Sequence, residues 1–263
     1  MSGWFRGKLC VVTGAAQGIG RALAEKYAEH GARLALLDLK EDALREAAAE
    51  ITGRYGVEAV CYPVDVSDFP KVRETMASVG AGQGPVQVLA NCAGISTTGL
   101  LRDVPENLWD RVMDINLKSV YVISTLAADN MVANRVRDGR IVSISSQASK
   151  TGELGNGAYC IAKAGVNSMT QVLGLELAEH GISVTAVCPG YVDTEIMQKV
   201  FRERGPLEGM TPKEYEKTLT DKVPLGRMAT PEEVAEFMLF LSSDRAGYIT
   251  GVALTIAGGK TLI

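Results

Sequence analysis

Leu9-Cys10-Val11-Val12-Thr13-Gly14-Ala15-Ala16-Gln17-Gly18-Ile19-Gly20 is the stretch that decides the architecture of this chain. A short apolar run rich in valine ends in a glycine-rich turn, and an amphipathic segment follows over residues 19–30. Glycines at such a junction permit a tight turn and let backbone approach a ligand closely. The first N–H groups of the next helix have no intrahelical partner, and with the helix dipole they favour an anion such as a pyrophosphate. One glycine-rich loop is weak evidence. Three glycines between a strand and a helix, opening a β–α–β unit, are much stronger.

The same rhythm continues to the end of the chain. Strand-like runs occupy residues 9–12, 33–37, 58–64, 86–90, 140–145, 183–188 and 253–256. Helical periodicity lies between them over 19–30, 41–54, 70–79, 107–134, 159–180 and 231–242. Continuously apolar strands suit a parallel sheet covered on both faces. The alternation predicts an α/β fold, a Rossmann-like doubly wound parallel sheet of about seven strands flanked by helices on both faces. No low-complexity linker or repeat interrupts the 263 residues, so one domain over residues 1–263 is expected. Residues 191–230 break the rhythm with prolines, glycines and charges and only weak helical pieces. Lying just after a strand's C-terminal end, they read as a substrate lid, with a surface excursion of no role as the plainer alternative.

Composition removes several classes of function. A formal net charge of −4 argues against a nucleic-acid protein, which needs a basic face. No run approaches the roughly 18 apolar residues of a membrane span. Residues 1–7 lack the basic-then-apolar order of a secretory leader, so a cytoplasmic protein without membrane contact is expected. The five cysteines, Cys10, Cys61, Cys92, Cys160 and Cys188, are far apart and read as reduced, packed thiols. His30 and His180 each sit in a Glu-His-Gly triplet that ends a helical pattern, which is a helix-stop signal. That leaves no histidine triad and no metal site.

Two features carry chemistry. The second strand ends near Asp38, 18 residues after Gly20, where an acid hydrogen-bonds the adenosine ribose and repels a 2′-phosphate. Gln17 is neutral where a base could have clamped that phosphate, and Lys40 nearby works in the opposite sense. NAD is therefore the expected cofactor. Tyr159-Cys160-Ile161-Ala162-Lys163 then places a phenol and an ammonium at i and i+4 on one helix face. A free phenol, with a pKa of about 10, is a poor base near neutrality, and an adjacent ammonium favours its ionised form. Such pairs also arise by chance. Ser146 changes the weighting: it follows the strand over 140–145, 13 residues before Tyr159, at the sheet edge where doubly wound folds bind ligands.

These residues carry a family resemblance along nearly the whole chain. The T-G-x-x-x-G-x-G cradle at 13–20 and the Tyr159-x-x-x-Lys163 pair resemble the short-chain dehydrogenases/reductases. Asn91-Cys92-Ala93-Gly94 resembles the family's N-N-A-G signature, with Cys92 in place of the second Asn, and Asp65-Val66 resembles the pair lining the adenine pocket. Asn116 matches the helix Asn that holds a water against the lysine. Pro189-Gly190-Tyr191-Val192-Asp193-Thr194 resembles the P-G-x-x-x-T segment, whose Val and Thr meet the nicotinamide carboxamide. Ala257-Gly258-Gly259 departs from the usual D-G-G. The resemblance implies a metal-free hydride transfer with Asn116, Ser146, Tyr159 and Lys163 as catalytic residues. It also implies a cofactor site of Gly14, Gln17, Gly18, Ile19, Gly20, Asp38, Asp65, Val66, Asn91, Ala93, Gly94, Tyr159, Lys163, Pro189, Gly190, Val192 and Thr194.

The substrate is less legible. Gln147 and Glu153 put an amide and a carboxylate beside Ser146 and Tyr159, suited to the extra hydroxyls of a polyol, unless they are loop residues facing solvent. The stretch 146–163 resembles sorbitol-type polyol dehydrogenases, and 206–227 resembles butanediol and acetoin dehydrogenases. A small-molecule polyol, sugar alcohol or vicinal diol is the expected substrate. The alternatives are a 3-oxoacyl thioester reductase and an NAD-binding sensor without turnover. The segments 107–134 and 159–180 are apolar on more than one face, with Trp109, Val120, Tyr121, Met169 and Leu173 among them. With the resemblance, this implies a homotetramer built as a dimer of dimers.

Overall fold

A computed structural model describes residues 3–262. The expectation about a leader rests partly on residues 1 and 2, outside the described residues. Seven parallel strands form one sheet: β1 (Leu9–Thr13), β2 (Arg33–Asp38), β3 (Ala59–Pro63), β4 (Val88–Asn91), β5 (Arg140–Ile144), β6 (Ser183–Pro189) and β7 (Val252–Ile256). Their order is β3-β2-β1-β4-β5-β6-β7. The chain winds outward from β1 to β3, then returns to place β4 on the other side of β1. A crevice opens at the strand C-termini where the winding reverses.

Both faces of the sheet are buried, which is why the strands read as unbroken apolar runs. Cys10 and Val12 of β1 belong to a core with Leu23 and Tyr27 of α1 (Gly18–Glu29), Leu44 and Ile51 of α2 (Glu41–Tyr55), and Met238. Leu9 and Val11 point the other way. They join Val72 and Met76 of α3 (Phe69–Gln83), Val122 and Ile123, and Leu173. Full burial of each such side chain contributes about 1.5–3 kcal/mol. Among the described residues, no helix is long and apolar enough to cross a membrane.

Two segments differ from the sequence expectation. The stretch 107–134 is not one regular helix: α4 (Glu106–Met113) passes through a π-helical segment, Asp114–Lys118, into α5 (Ser119–Ala133). The segment 159–180 is α6 (Gly157–Glu176) followed by a short turn. His180 closes that turn before Gly181, and His30 caps α1 before Gly31, both glycines having positive φ. The region 191–230 holds two full helices, α7 (Glu195–Leu207) and α8 (Pro212–Thr220), before α9 (Pro231–Leu241). Val200 and Phe201 of α7 bury against Tyr215 and Leu219 of α8, so the pair has a small core of its own.

The glycine turn is fixed by contact as well as by conformation. Gly14 has φ +66°, and a Cβ there would lie 2.8 Å from the Ala93 nitrogen. Gly56, at the C-cap of α2, has φ +68° with nothing within 4 Å. The left-handed conformation alone costs a non-glycine residue about 1–2 kcal/mol. Gly56→Ala is therefore expected to lower stability by about that amount, and Gly14→Ala by clearly more. Urea unfolding of the two variants measures the difference.

Candidate functional site

The cavity in the crevice, about 520 Å³, is lined by every residue the sequence assigned to the cofactor except Asn91, and by Asn116 and Ser146. β1 delivers the cradle. Thr13 Oγ1 accepts hydrogen bonds from the Cys92 and Ala93 nitrogens, each at 3.1 Å, drawing the ends of β1 and β4 together. Gln17 caps α1 without a side-chain hydrogen bond to that helix's own N–H groups, so the first of these stay available to an anion. At the end of β2, Asp38 Oδ2 accepts from the Ala16 nitrogen at 3.0 Å and Oδ1 from the Lys40 nitrogen at 2.9 Å. This carboxylate holds the cradle while facing the cavity. Asp65 and Val66 line the cavity beyond β3. Helix-start donors, a glycine cradle and a strand-end acid on one cavity fit a dinucleotide.

Asn91 lies elsewhere. It is buried in the sheet, where its Nδ2 donates to Ser124 Oγ at 3.0 Å and Ser143 Oγ at 3.1 Å. It ties β4 to β5 and α5, and Ala93 and Gly94 beyond it line the cavity.

The reacting end forms where β5, α6 and the π-helical segment meet. Tyr159 is hydrogen-bonded to Ser146, whose Oγ also accepts from the Ala148 nitrogen at 3.1 Å. Lys163 is buried and donates from Nζ to the Ile144 carbonyl at 2.8 Å, with Nζ 5.7 Å from the centre of the Tyr159 ring. Asn116 is buried in the π-helical segment; its Nδ2 donates to the Val112 carbonyl and its Oδ1 accepts from the Ile95 nitrogen, both at 3.1 Å. A Cβ on Gly94 would lie 2.9 Å from Asn116 Oδ1 and 3.7 Å from Lys163 Nζ, so the glycine keeps open the space those two groups share. The π-helical widening occurs where the Asn116 side chain takes up a main-chain carbonyl.

Burial governs the titration of this pair. It pushes the Tyr159 phenol up to about 12, against the Ser146 hydrogen bond, which favours the phenolate. It pushes the Lys163 ammonium down to about 8, against the nearby Cys92 and Cys188 thiols. The expectation was that Lys163 depresses the phenol; instead burial outweighs every other influence on it. Both groups are biased toward their neutral forms, so the phenol is an acid as it stands and a base only once its own proton has left.

Gln147 and Glu153 lie beside this cavity, outside its lining. Gln147 is buried, not solvated: its Nε2 donates to Glu153 Oε1 at 3.3 Å and its Oε1 accepts from Thr261 Oγ1 at 3.1 Å. Glu153 also accepts from Asn156 Nδ2 at 3.2 Å, and Tyr191 joins through a hydrogen bond to Gln147. Sequence reasoning missed the residues that α4 and α7 supply to the cavity, among them Arg111, Glu195, Ile196, Met197, Lys199 and Arg202. A readable signal was present nearby: Thr211-Pro212-Lys213-Glu214 is a capping box with proline at the first helical position, and it starts α8.

Comparison with known proteins agrees with this geometry. Residues 14–261 match the family model described as Enoyl-(Acyl carrier protein) reductase. The NAD-dependent glycerol dehydrogenase of Listeria innocua is 37% identical over 255 residues, covering 97% of this chain and 94% of that one. The 3-oxoacyl-acyl-carrier-protein reductase FabG of Thermotoga maritima is 36% identical over 256 residues, covering 97% and 98%. The crystal structure of L-sorbose reductase from Gluconobacter frateurii, complexed with NADPH and L-sorbose, superposes with a TM-score of 0.92 at 28% identity, covering 100% of both chains.

The Lys163 shift has a measurable consequence for stability. Its folded value, about 8, lies below the ordinary 10.5, so between these values the unfolded chain binds more protons and stability rises with pH. Below about 8 the buried ammonium destabilises the fold in full. Lys163→Met is expected to melt above the parent chain at pH 7, with the gap closing as pH rises from about 8 to 10.5. Calorimetric scans of both proteins across that window check the sign.

Proposed function

This chain belongs to the short-chain dehydrogenase/reductase family, and we propose that it transfers hydride between NAD(H) and a secondary alcohol or its ketone, with a polyol, sugar alcohol or vicinal diol as substrate. The observation that carries this reading is the meeting of Ser146, Tyr159, Lys163 and Asn116 on the cavity that also holds the glycine cradle and Asp38. An NAD-binding sensor without turnover has no chemical need for those four groups.

In the cavity, the cradle and the start of α1 would hold the pyrophosphate, Asp38 the adenosine ribose, Asp65 and Val66 the adenine, and Gly190, Val192 and Thr194 the nicotinamide end. The dinucleotide, when bound, supplies the hydride acceptor for oxidation and the donor for reduction. During oxidation Tyr159 takes the alcohol's hydroxyl proton as its own phenol proton leaves by way of Lys163, and during reduction both transfers reverse. Ser146 donates to the reacting oxygen and fixes its distance from the phenol. Lys163, anchored on the Ile144 carbonyl, passes the proton on toward the space it shares with Asn116.

NAD over NADP is favoured by Asp38, whose charge faces the ribose position. The glycerol dehydrogenase named above is NAD-dependent and the L-sorbose reductase is complexed with NADPH, so relatives of both habits exist. Their names concern a polyol and a ketose, which supports the substrate class. The buried Gln147–Glu153–Tyr191 network supports it too, as a polar wall beside the reacting end. The second reading, 3-oxoacyl thioester reduction, draws on the Thermotoga relative and on the cations Arg111, Lys199 and Arg202 at the cavity rim. We take α7 and α8 as the lid over the substrate. The exposed apolar side chains Tyr121 on α5 and Ile161, Val172 and Leu175 on α6 support a homotetramer. A reduced cytoplasmic setting and one domain complete the reading.

Following reduced-nicotinamide absorbance with NAD and NADP against glycerol, sorbitol, butanediol and a 3-oxoacyl thioester decides between the two. NADH formation with a polyol or diol supports the first reading; NADPH consumption with the thioester alone replaces it with the second. Tyr159→Phe is expected to reduce turnover by about 10²–10⁴ while dinucleotide binding, read by fluorescence quenching, persists. Full turnover by that variant would remove the phenol from the mechanism.

A further inference from the structure

Across the mouth of the cavity, three elements that are distant in sequence are joined by one side chain. Lys40, between β2 and α2, donates from Nζ to Gln17 Oε1 on the cradle at 2.6 Å and to Glu195 Oε2 at 3.1 Å. Glu195 is the first residue of α7, directly after the capping residue Thr194, whose Cγ2 lies 3.6 Å from where a Cβ on Gly18 would stand. Thus the start of the candidate lid already packs on the cradle, and the ion pair spans the remaining gap. Lys40 and Glu195 are both more than half exposed. As a pair in solvent they would contribute little to stability, on the order of 0–1 kcal/mol. The position of the pair matters more than its strength. Lys40 is two residues from Asp38 and its backbone nitrogen is bound by the Asp38 carboxylate. It is the cation best placed to meet a phosphate on the adenosine ribose.

We propose that Glu195, reaching over from α7, holds the Lys40 ammonium away from the adenosine ribose and so acts with Asp38 to set coenzyme choice toward the dinucleotide without a 2′-phosphate. This rests on the reading of the cavity as a dinucleotide site. Asp38, Lys40 and Glu195 together carry net negative charge; without the Glu195 carboxylate they are neutral, and the lysine keeps only the uncharged Gln17 amide as a partner. Hydrogen bonding by Lys40 holds the Glu195 carboxyl below the usual carboxylate range, and Arg202 on the same helix acts in the same direction. Removing the carboxylate therefore releases the Lys40 ammonium at the mouth of the site. Asp38 alone explains repulsion of a 2′-phosphate but not why the lysine beside it fails to offset that repulsion. The ion pair with α7 supplies the reason. The position is outside the glycine loop and the end of β2, where coenzyme preference is read from sequence.

The test uses fragments of the coenzyme, so that it does not depend on turnover. Calorimetric titration measures the affinity of 5′-AMP and of 2′,5′-ADP for the parent chain, Glu195→Gln, and the double variant Glu195→Gln/Lys40→Ala. The parent is expected to prefer 5′-AMP. In Glu195→Gln the affinity ratio should move toward 2′,5′-ADP by up to about fivefold, in line with one solvent-exposed charge pair exchanged for another. The double variant should lose that gain, since the lysine carries it. The same displacement should appear in the NADP/NAD ratio of kcat/KM. An unchanged fragment ratio in Glu195→Gln, with both fragments still binding, overturns the proposal and leaves the dinucleotide reading intact. A gain that survives removal of Lys40 also overturns it. Failure of both fragments to bind any of the three proteins overturns the reading of the cavity, and the proposal with it.

Discussion

The close approach of two backbone segments at the centre of the sheet is the constraint on which the rest depends. β1 and β4 lie side by side, and past their ends the Gly14 turn touches the Ala93 main chain with no room for a methyl group. Thr13 holds this contact from one side through its two hydrogen bonds to Cys92 and Ala93. The α1 cradle, the Ala93–Gly94 turn and the Asp38 carboxylate are thereby brought to one cavity edge. A looser junction would still allow a doubly wound sheet, but the donors of α1 and the acid of β2 would no longer face a common ligand.

A second constraint acts at the other end of the cavity, and there electrostatics matter more than packing. Tyr159 and Lys163 are buried deeply enough that each resists carrying charge. The surroundings supply few compensating groups: a serine hydroxyl, a carbonyl, two thiols and the Asn116 amide. Such a site is costly to a fold and useful to a reaction, because neither group is locked into one protonation state by a strong ion pair. The buried tyrosine and lysine both ride on α6 while Ser146 follows β5, so the distance from hydroxyl to phenol depends on how that helix seats against the sheet.

Much of this was legible in the sequence, for identifiable reasons. The five inner strands are largely buried on both faces, so their apolar runs could not be mistaken for exposed loops. The glycines, Asp38, Ser146 and the Tyr159–Lys163 spacing sit where local chemistry constrains residue type, and the cavity gathers them all. Asn91 was misleading because a signature residue can serve the ligand indirectly: it pins β4 while its neighbours face the cavity. The helices α7 and α8 were obscured by Gly205, Pro206 and Gly209, which read as breakers. Pro206 in fact falls in the last turn of α7, where a helix ends in any case. The Gln147–Glu153 pair was legible as polar but not as buried, because its cover comes from Thr261 near the far end of the chain. No local pattern reports that contact.

The π-helical segment between α4 and α5 amounts to one extra residue absorbed in an otherwise continuous rod. Consecutive residues of an α-helix are turned by about 100° about its axis. The wider i→i+5 turn takes up a residue without that rotation. Val112 on α4 therefore keeps its pocket against Ala158 and Ala162 while Val122 and Ile123 of α5 stay on the sheet. Deleting one residue between Asp114 and Lys118 would restore regular winding with both flanks near their present phase, and what it would change is the wide turn itself. Asn116 keeps its place through that one extra residue, beyond the two hydrogen bonds that hold its side chain.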